Sequence, residues 1–152
     1  MTLKRFAVFL MLTCSIGWAG DRGGHAEYVG GTISQIPSGC HGAVQAIDTE
    51  YMIFYSGKAS WRVPYAQINL LEYGQKVDRR YLTAVLISPL FLLSKKRRHF
   101  LTIGYTDDDG RQQAMIFRVD KNDIRAMLVS LEARTGRKVE FQDDDARKAG
   151  KG

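Results

Sequence analysis

The chain has 152 residues, 45% apolar and 25% charged, which are the proportions of a soluble globular domain rather than of a disordered or membrane-embedded chain. That length supports one hydrophobic core and argues against a second domain. A formal charge of +6, from 22 Lys and Arg against 16 Asp and Glu, favours anionic partners.

Residues 1–19 combine Lys4 and Arg5 with an apolar run from Phe6 to Cys14 and small residues at Gly17 and Ala19. This pattern reads as a cleavable signal peptide, so the protein is expected to be exported, either periplasmic or secreted. The alternative is a chain tethered to the membrane by an uncleaved N-terminal segment. Thr13 stands before Cys14, where a lipoprotein signal wants a small residue. Cleavage after Ala19 leaves Cys40 as the sole cysteine, so no internal disulfide is expected. Cys40 and His41 lack a second pair at ligand spacing, and His25 and His99 stand apart in sequence. Cys40 and His41 therefore read as loop residues and His25 and His99 as isolated ones, with no metal and no cofactor expected.

Residues 20–26 are glycine-rich and polar and read as a flexible spacer. From Glu27 on, strand-sized runs of β-branched and aromatic residues recur at 27–34, 42–48, 51–56, 60–65 and 67–75, separated by turn formers such as Pro37, Gly39, Asp48 and Gly57. Two more, 99–106 and 111–119, flank Asp107, Asp108, Asp109 and Gly110, a hairpin signal. The period changes to that of a helix over 120–134, where Ile124, Met127, Leu128 and Leu131 share one face. Asp120 is placed to cap its start and Gly136 to end it. Residues 138–142 fit one more short strand, and 143–152 read as a disordered charged tail. The expected fold class is mainly β (α+β), an antiparallel barrel or sandwich of about seven strands with one C-terminal amphipathic helix, spanning 27–142 as a single domain.

Two stretches carry a resemblance. Gly42, Asp48, Thr49, Tyr51, Ile53 and Phe54 are similar to the opening hairpin of GRAM-like domains, and the run from Trp61 to Glu72 (WRVPYAQINLLE) resembles their I-P-Y/L-x-x-I-x-x-I-E strand pair. With seven strands and a final helix, the chain resembles the pleckstrin-homology-like barrel over 42–134. Its LEYGQK and KKRRHFLTIG segments are similar to those of uncharacterised exported bacterial proteins. The resemblance implies a binding module and carries no catalytic residues. Two departures are the extra strand at 27–34 and an apolar insertion before the sixth strand.

That insertion, residues 81–93 (YLTAVLISPLFLL), is bracketed by Arg79 and Arg80 before it and by Lys95, Lys96, Arg97 and Arg98 after it. It falls short of the roughly 20 residues of a membrane span, and Pro89 would kink a helix there. Shallow insertion with the cations on anionic lipid, worth about 1 kcal/mol each, remains open to it. The candidate binding residues are Arg79, Arg80, Tyr81, Leu86, Phe91, Lys95, Lys96, Arg97 and Arg98, and the expected partner is an anionic membrane surface or an envelope protein. The competing reading is a periplasmic barrel that binds a small molecule or peptide, conceivably with hydrolytic activity, in which 81–93 is core or lid.

No nucleophile, phosphate-loop or metalloprotease motif is present. Glu50, Glu72 and Glu132 read as surface ion-pair partners, so no enzyme is expected. The aromatics Tyr28, Tyr51, Phe54, Tyr55, Trp61 and Phe117 fall at strand spacing. They read as core or cross-strand pairs rather than a base-stacking platform, which sets nucleic acid aside.

Overall fold

Runs of β-branched and aromatic residues at period two become strands here because each can bury one face. The computed structural model describes residues 23–76, 86–87 and 98–151. In chain order the strands are β1 (Gly24–Gly31), β2 (Cys40–Gln45), β3 (Tyr51–Ser56), β4 (Ala59–Pro64), β5 (Ile68–Gly74), the two-residue β6 (Leu86–Ile87), β7 (His99–Thr106), β8 (Gln112–Val119) and β9 (Glu140–Phe141). A 3-10 turn at Tyr65–Gln67 joins β4 to β5, and two helices follow β8, α1 (Ile124–Thr135) and α2 (Asp144–Lys151).

The strands form one sheet of order β4-β3-β2-β1-β8-β7-β5-β9, with β6 beside β1 off that path. Neighbours are antiparallel except β5 and β9, which run parallel. The mainly β expectation holds, and 138–142 contributes an eighth strand to the path as β9. The expected barrel is not closed: β4 and β9 end the path, and no ladder joins β4 to β5 among the described residues. Pro64 ends β4 and the 3-10 turn redirects the chain, so β5 departs from β4 rather than pairing with it.

One face of the sheet carries the core. Phe54 packs on Phe117 with ring centroids 5.0 Å apart, Tyr28 meets Phe117 edge-on at 5.8 Å, and Trp61 stacks on Phe54 at 5.8 Å. Such pairs add about 0.5–1.5 kcal/mol each beyond area burial. Tyr28, Phe54 and Phe117 are core aromatics and Trp61 is a partly buried cross-strand partner of Phe54, as expected, whereas Tyr55 points outward and is exposed. Ile124, Met127, Leu128 and Leu131 of α1 are all buried over the same core. Gly136 ends that helix at φ 69°, its N–H on the Glu132 carbonyl at 2.9 Å. The hairpin at Asp107 also forms, with Gly110 at φ 77° and the Asp107 carboxylate accepting the Arg111 N–H at 2.8 Å.

Three expectations are corrected. Residues 20–26 were expected as spacer, yet Gly24 to Ala26 already belong to β1 and pair with Val44, Ala43 and Gly42 of β2. A Cβ at position 24 would meet the flexible end of the Met127 side chain, so this residue lies directly against α1. The helix start also differs: Asp123, not Asp120, is the N-cap residue, and its carboxylate makes no capping bond. Last, the tail expected to be disordered forms α2. Its small residues face inward, with Ala146 fully buried and a Cβ on Gly150 meeting Phe141, Tyr73 and Leu128 at 2.6–3.4 Å. Asp143 caps it by accepting the Ala146 N–H at 2.6 Å, and Arg125 of α1 donates to the Ala149 carbonyl at 3.3 Å.

Ending the chain at Gln142 removes α2 and uncovers part of Tyr73, Leu128 and Phe141. The expected loss is about 2 kcal/mol of unfolding free energy, read from the urea midpoint. An unchanged midpoint would mean that α2 contributes nothing to the core.

Candidate functional site

Alternation along β1 turns Tyr28 into the core and leaves His25 and Glu27 on the other face. Register then decides their neighbours. Glu27 lies between His41 of β2 and Arg118 of β8, and His25 lies opposite Ala43 of β2. Glu27 is paired with the Arg118 guanidinium, and its side chain is only 8% exposed, which an unpaired carboxylate would not tolerate.

Above this row lies a surface groove of about 660 Å³ lined by His25, Glu27, His41, Tyr55, Arg118 and Asp120. Asp120 follows β8 directly, and its N–H donates to the His25 carbonyl at 3.2 Å. At the groove's end Asp123 accepts twice from His25, from the backbone N–H at 2.9 Å and from ring Nδ1 at 3.2 Å. A carboxylate only accepts, so Nδ1 carries the proton in that contact. One donor atom from each of His25, Asp120 and Asp123 falls within 4.8 Å of the others.

A second pair sits where the chain enters β7. The Tyr73 hydroxyl is hydrogen-bonded to His99 Nδ1, and the two rings stack at 5.9 Å with 15° between planes. Burial, then the Lys121 charge, holds the His99 pKa below its ordinary value of 6.5. The Tyr73 pKa is raised, chiefly by burial. The neutral imidazole therefore accepts from the phenol.

Among the residues expected to bind, Arg79, Arg80, Tyr81, Phe91, Lys95, Lys96 and Arg97 lie outside the described residues. Leu86 belongs to β6, where it pairs with Gly31 and Ile87 with Gly30. Arg98 precedes β7 and is half-buried. Several readings of single residues change. Cys40 and His41 are strand residues, and Cys40 Sγ lies 2.7 Å from Ser56 Oγ. His25 and His99 are isolated in sequence and partnered in space. Glu72, read as a surface carboxylate, is 2% exposed and accepts from Gln142 Nε2 at 2.9 Å. The grouping of His25, Glu27, His41, Arg118 and Asp120 was missed. Its one sequence signal is the period-two continuation of the first strand back through Glu27 to His25, which the surrounding glycines obscured.

No protein-family model matches the chain, and no curated protein matches it. Among the described residues, no helix is long and apolar enough to cross a membrane.

The Tyr73–His99 contact gives a pH dependence with a definite sign. Because the folded state lowers the His99 pKa, the unfolded chain binds the proton more readily. Stability from this residue is fully present above about pH 6.5 and is lost as pH falls toward the lowered folded value. Urea midpoints between pH 5 and 8 should fall on the acid side in the native chain and fall less steeply in His99→Gln. Identical slopes would remove His99 as the cause.

Proposed function

We propose that this chain is an exported, non-enzymatic binding module with a pleckstrin-homology-like frame. In this reading it docks on an anionic membrane surface through the cations that bracket 81–93. The observation that carries it is the filled interior: Tyr28, Phe54 and Phe117 meet in the centre of the core, each no more than 1% exposed. A sheet packed in this way leaves its ligands to the outside. The long strands β1 to β5, β7 and β8, followed by α1, support the frame, although the sheet is open, with β4 and β9 at its ends.

Arg79, Arg80, Lys95, Lys96, Arg97 and Arg98 lie within one short stretch of sequence. Cations near an anionic bilayer contribute about 1 kcal/mol each, and salt weakens them together. Leu86 and Ile87 are hydrogen-bonded beside β1, so docking rests on the flanking cations rather than on deep insertion of the middle of the segment.

A second reading is a small-molecule or peptide-binding protein in which 81–93 belongs to the body of the fold. It is favoured by the same β6 ladder and by Phe100, Thr102 and Ile116, which are buried on the sheet face away from the core.

Flotation of the chain from Gly20 onward with neutral and anionic vesicles separates the two. Binding to anionic vesicles alone, lost at high salt and at least tenfold weaker after Lys95, Lys96, Arg97 and Arg98 are all changed to Ala, is the expected outcome. No flotation with either lipid, or binding indifferent to salt and to the four substitutions, would overturn docking and leave the second reading.

A further inference from the structure

We infer that His25, Asp120 and Asp123, completed by His41, form a binding site for a divalent transition-metal ion of the zinc, copper(II) or nickel class at the end of the groove. The inference does not rest on the docking reading. The donors come from parts of the chain far apart in sequence, β1 and the turn between β8 and α1, and the fold brings them together. His25 Nδ1 and Asp123 Oδ2 are 3.2 Å apart, and the donors of all three residues lie within 4.8 Å of one another. Bonds of 2.0–2.1 Å around a tetrahedral zinc place neighbouring ligand atoms about 3.3 Å apart. The His25–Asp123 spacing matches that separation, and binding through Nδ1 releases to solvent the proton that Nδ1 donates to Asp123 in the free protein.

His41 supplies the fourth donor. It stands opposite Glu27, two residues from the position opposite His25, so the two imidazoles are diagonal neighbours on one face. Such diagonals are within reach of long side chains. Both rings line the same groove, and His41 is exposed and able to turn toward it.

The local chemistry favours a cation. Asp123 is the N-cap residue of α1, yet its carboxylate is turned to His25 instead of capping the helix. Asp120 and Asp123 bring two negative charges, while the Arg118 guanidinium is committed to Glu27. The helix start opposes a cation, but only with the partial charge of its dipole, against two full carboxylate charges. Two imidazoles with two carboxylates suit zinc, copper and nickel, whereas calcium and magnesium prefer all-oxygen shells. A bound ion would tie the beginning of β1 to the beginning of α1, so binding should raise thermal stability.

The test uses the full chain without a histidine tag, stripped with chelator and titrated with zinc by calorimetry, alongside thermal melts. We expect one ion per chain with micromolar affinity, a rise in Tm on zinc addition, and no rise with calcium. His25→Ala and Asp120→Asn should each weaken binding at least tenfold, and His41→Ala at least threefold. His99→Gln, away from the groove, should leave it unchanged. Metal-free melts of the Asp120→Asn variant should match the native chain, which separates loss of a ligand from loss of fold. Absence of stoichiometric binding, or unchanged affinity in both His25→Ala and Asp120→Asn, would overturn the site. Unchanged affinity in His41→Ala would remove the fourth ligand.

Discussion

The fold hangs on the hydrogen bonding of β1. This strand pairs with β8 along one edge, in a ladder that bulges between Tyr28 and Gly30, while along the other it pairs first with β2 and then with β6. A bulge adds a residue and changes the twist of the strand, and here it also divides the strand's labour. The first half holds Tyr28 against Phe117 and Phe54 on one face and His25 and Glu27 in the groove on the other. The second half, Gly30 and Gly31, serves as the anchor for Leu86 and Ile87. Position 31 has no room for a side chain, since a Cβ would strike the Ala114 carbonyl and the Tyr28 hydroxyl. Glycine is therefore imposed by how closely β8 and the core aromatics approach this strand.

On the face away from the core, two carboxylates are buried, and each is satisfied differently. Glu27 meets Arg118 from the adjacent strand, while Glu72 accepts from Gln142, which follows β9. The Gln142 N–H also donates to the Tyr73 carbonyl at 3.1 Å. Residues after α1 are thus held to the sheet by a polar contact to a buried acid, by the parallel β5/β9 ladder, and by the small-residue face of α2. Buried polar groups need partners, and for Glu72 the partner arrives from the chain's end.

The long strands and α1 were readable because their signals are local. Ile124, Met127, Leu128 and Leu131 share a face by spacing alone, and the Asp107–Gly110 turn states itself in four residues. What escaped reading depended on register or on contact between distant segments. Gly24 looked like a spacer residue because what places it in β1 is its pairing with Val44 of β2, which local composition does not show. The helix 144–151 looked disordered because its charge is conspicuous, while Ala146 and Gly150, the residues that make contact, are too small to register as apolar. His25, Glu27 and Arg118 are unremarkable apart, and only the pairing of β1 with β8 makes them neighbours. The open edge at β4 also has no single-residue signal beyond Pro64 and the turn after it.

The β1/β8 ladder has a temporal consequence. Ala26, near the beginning of the chain, must find Val119, so the central pairing of the sheet is among the longest-range contacts in the molecule. Loop closure on that scale carries an entropic cost, and topologies rich in such contacts fold more slowly. A ribosome delivers β1 to β5 long before β8, and during that interval the first strand has only one of its two principal neighbours. Until β8 has been made, the β1 edge that it covers lacks that partner, so completion of the sheet waits for the second half of the chain.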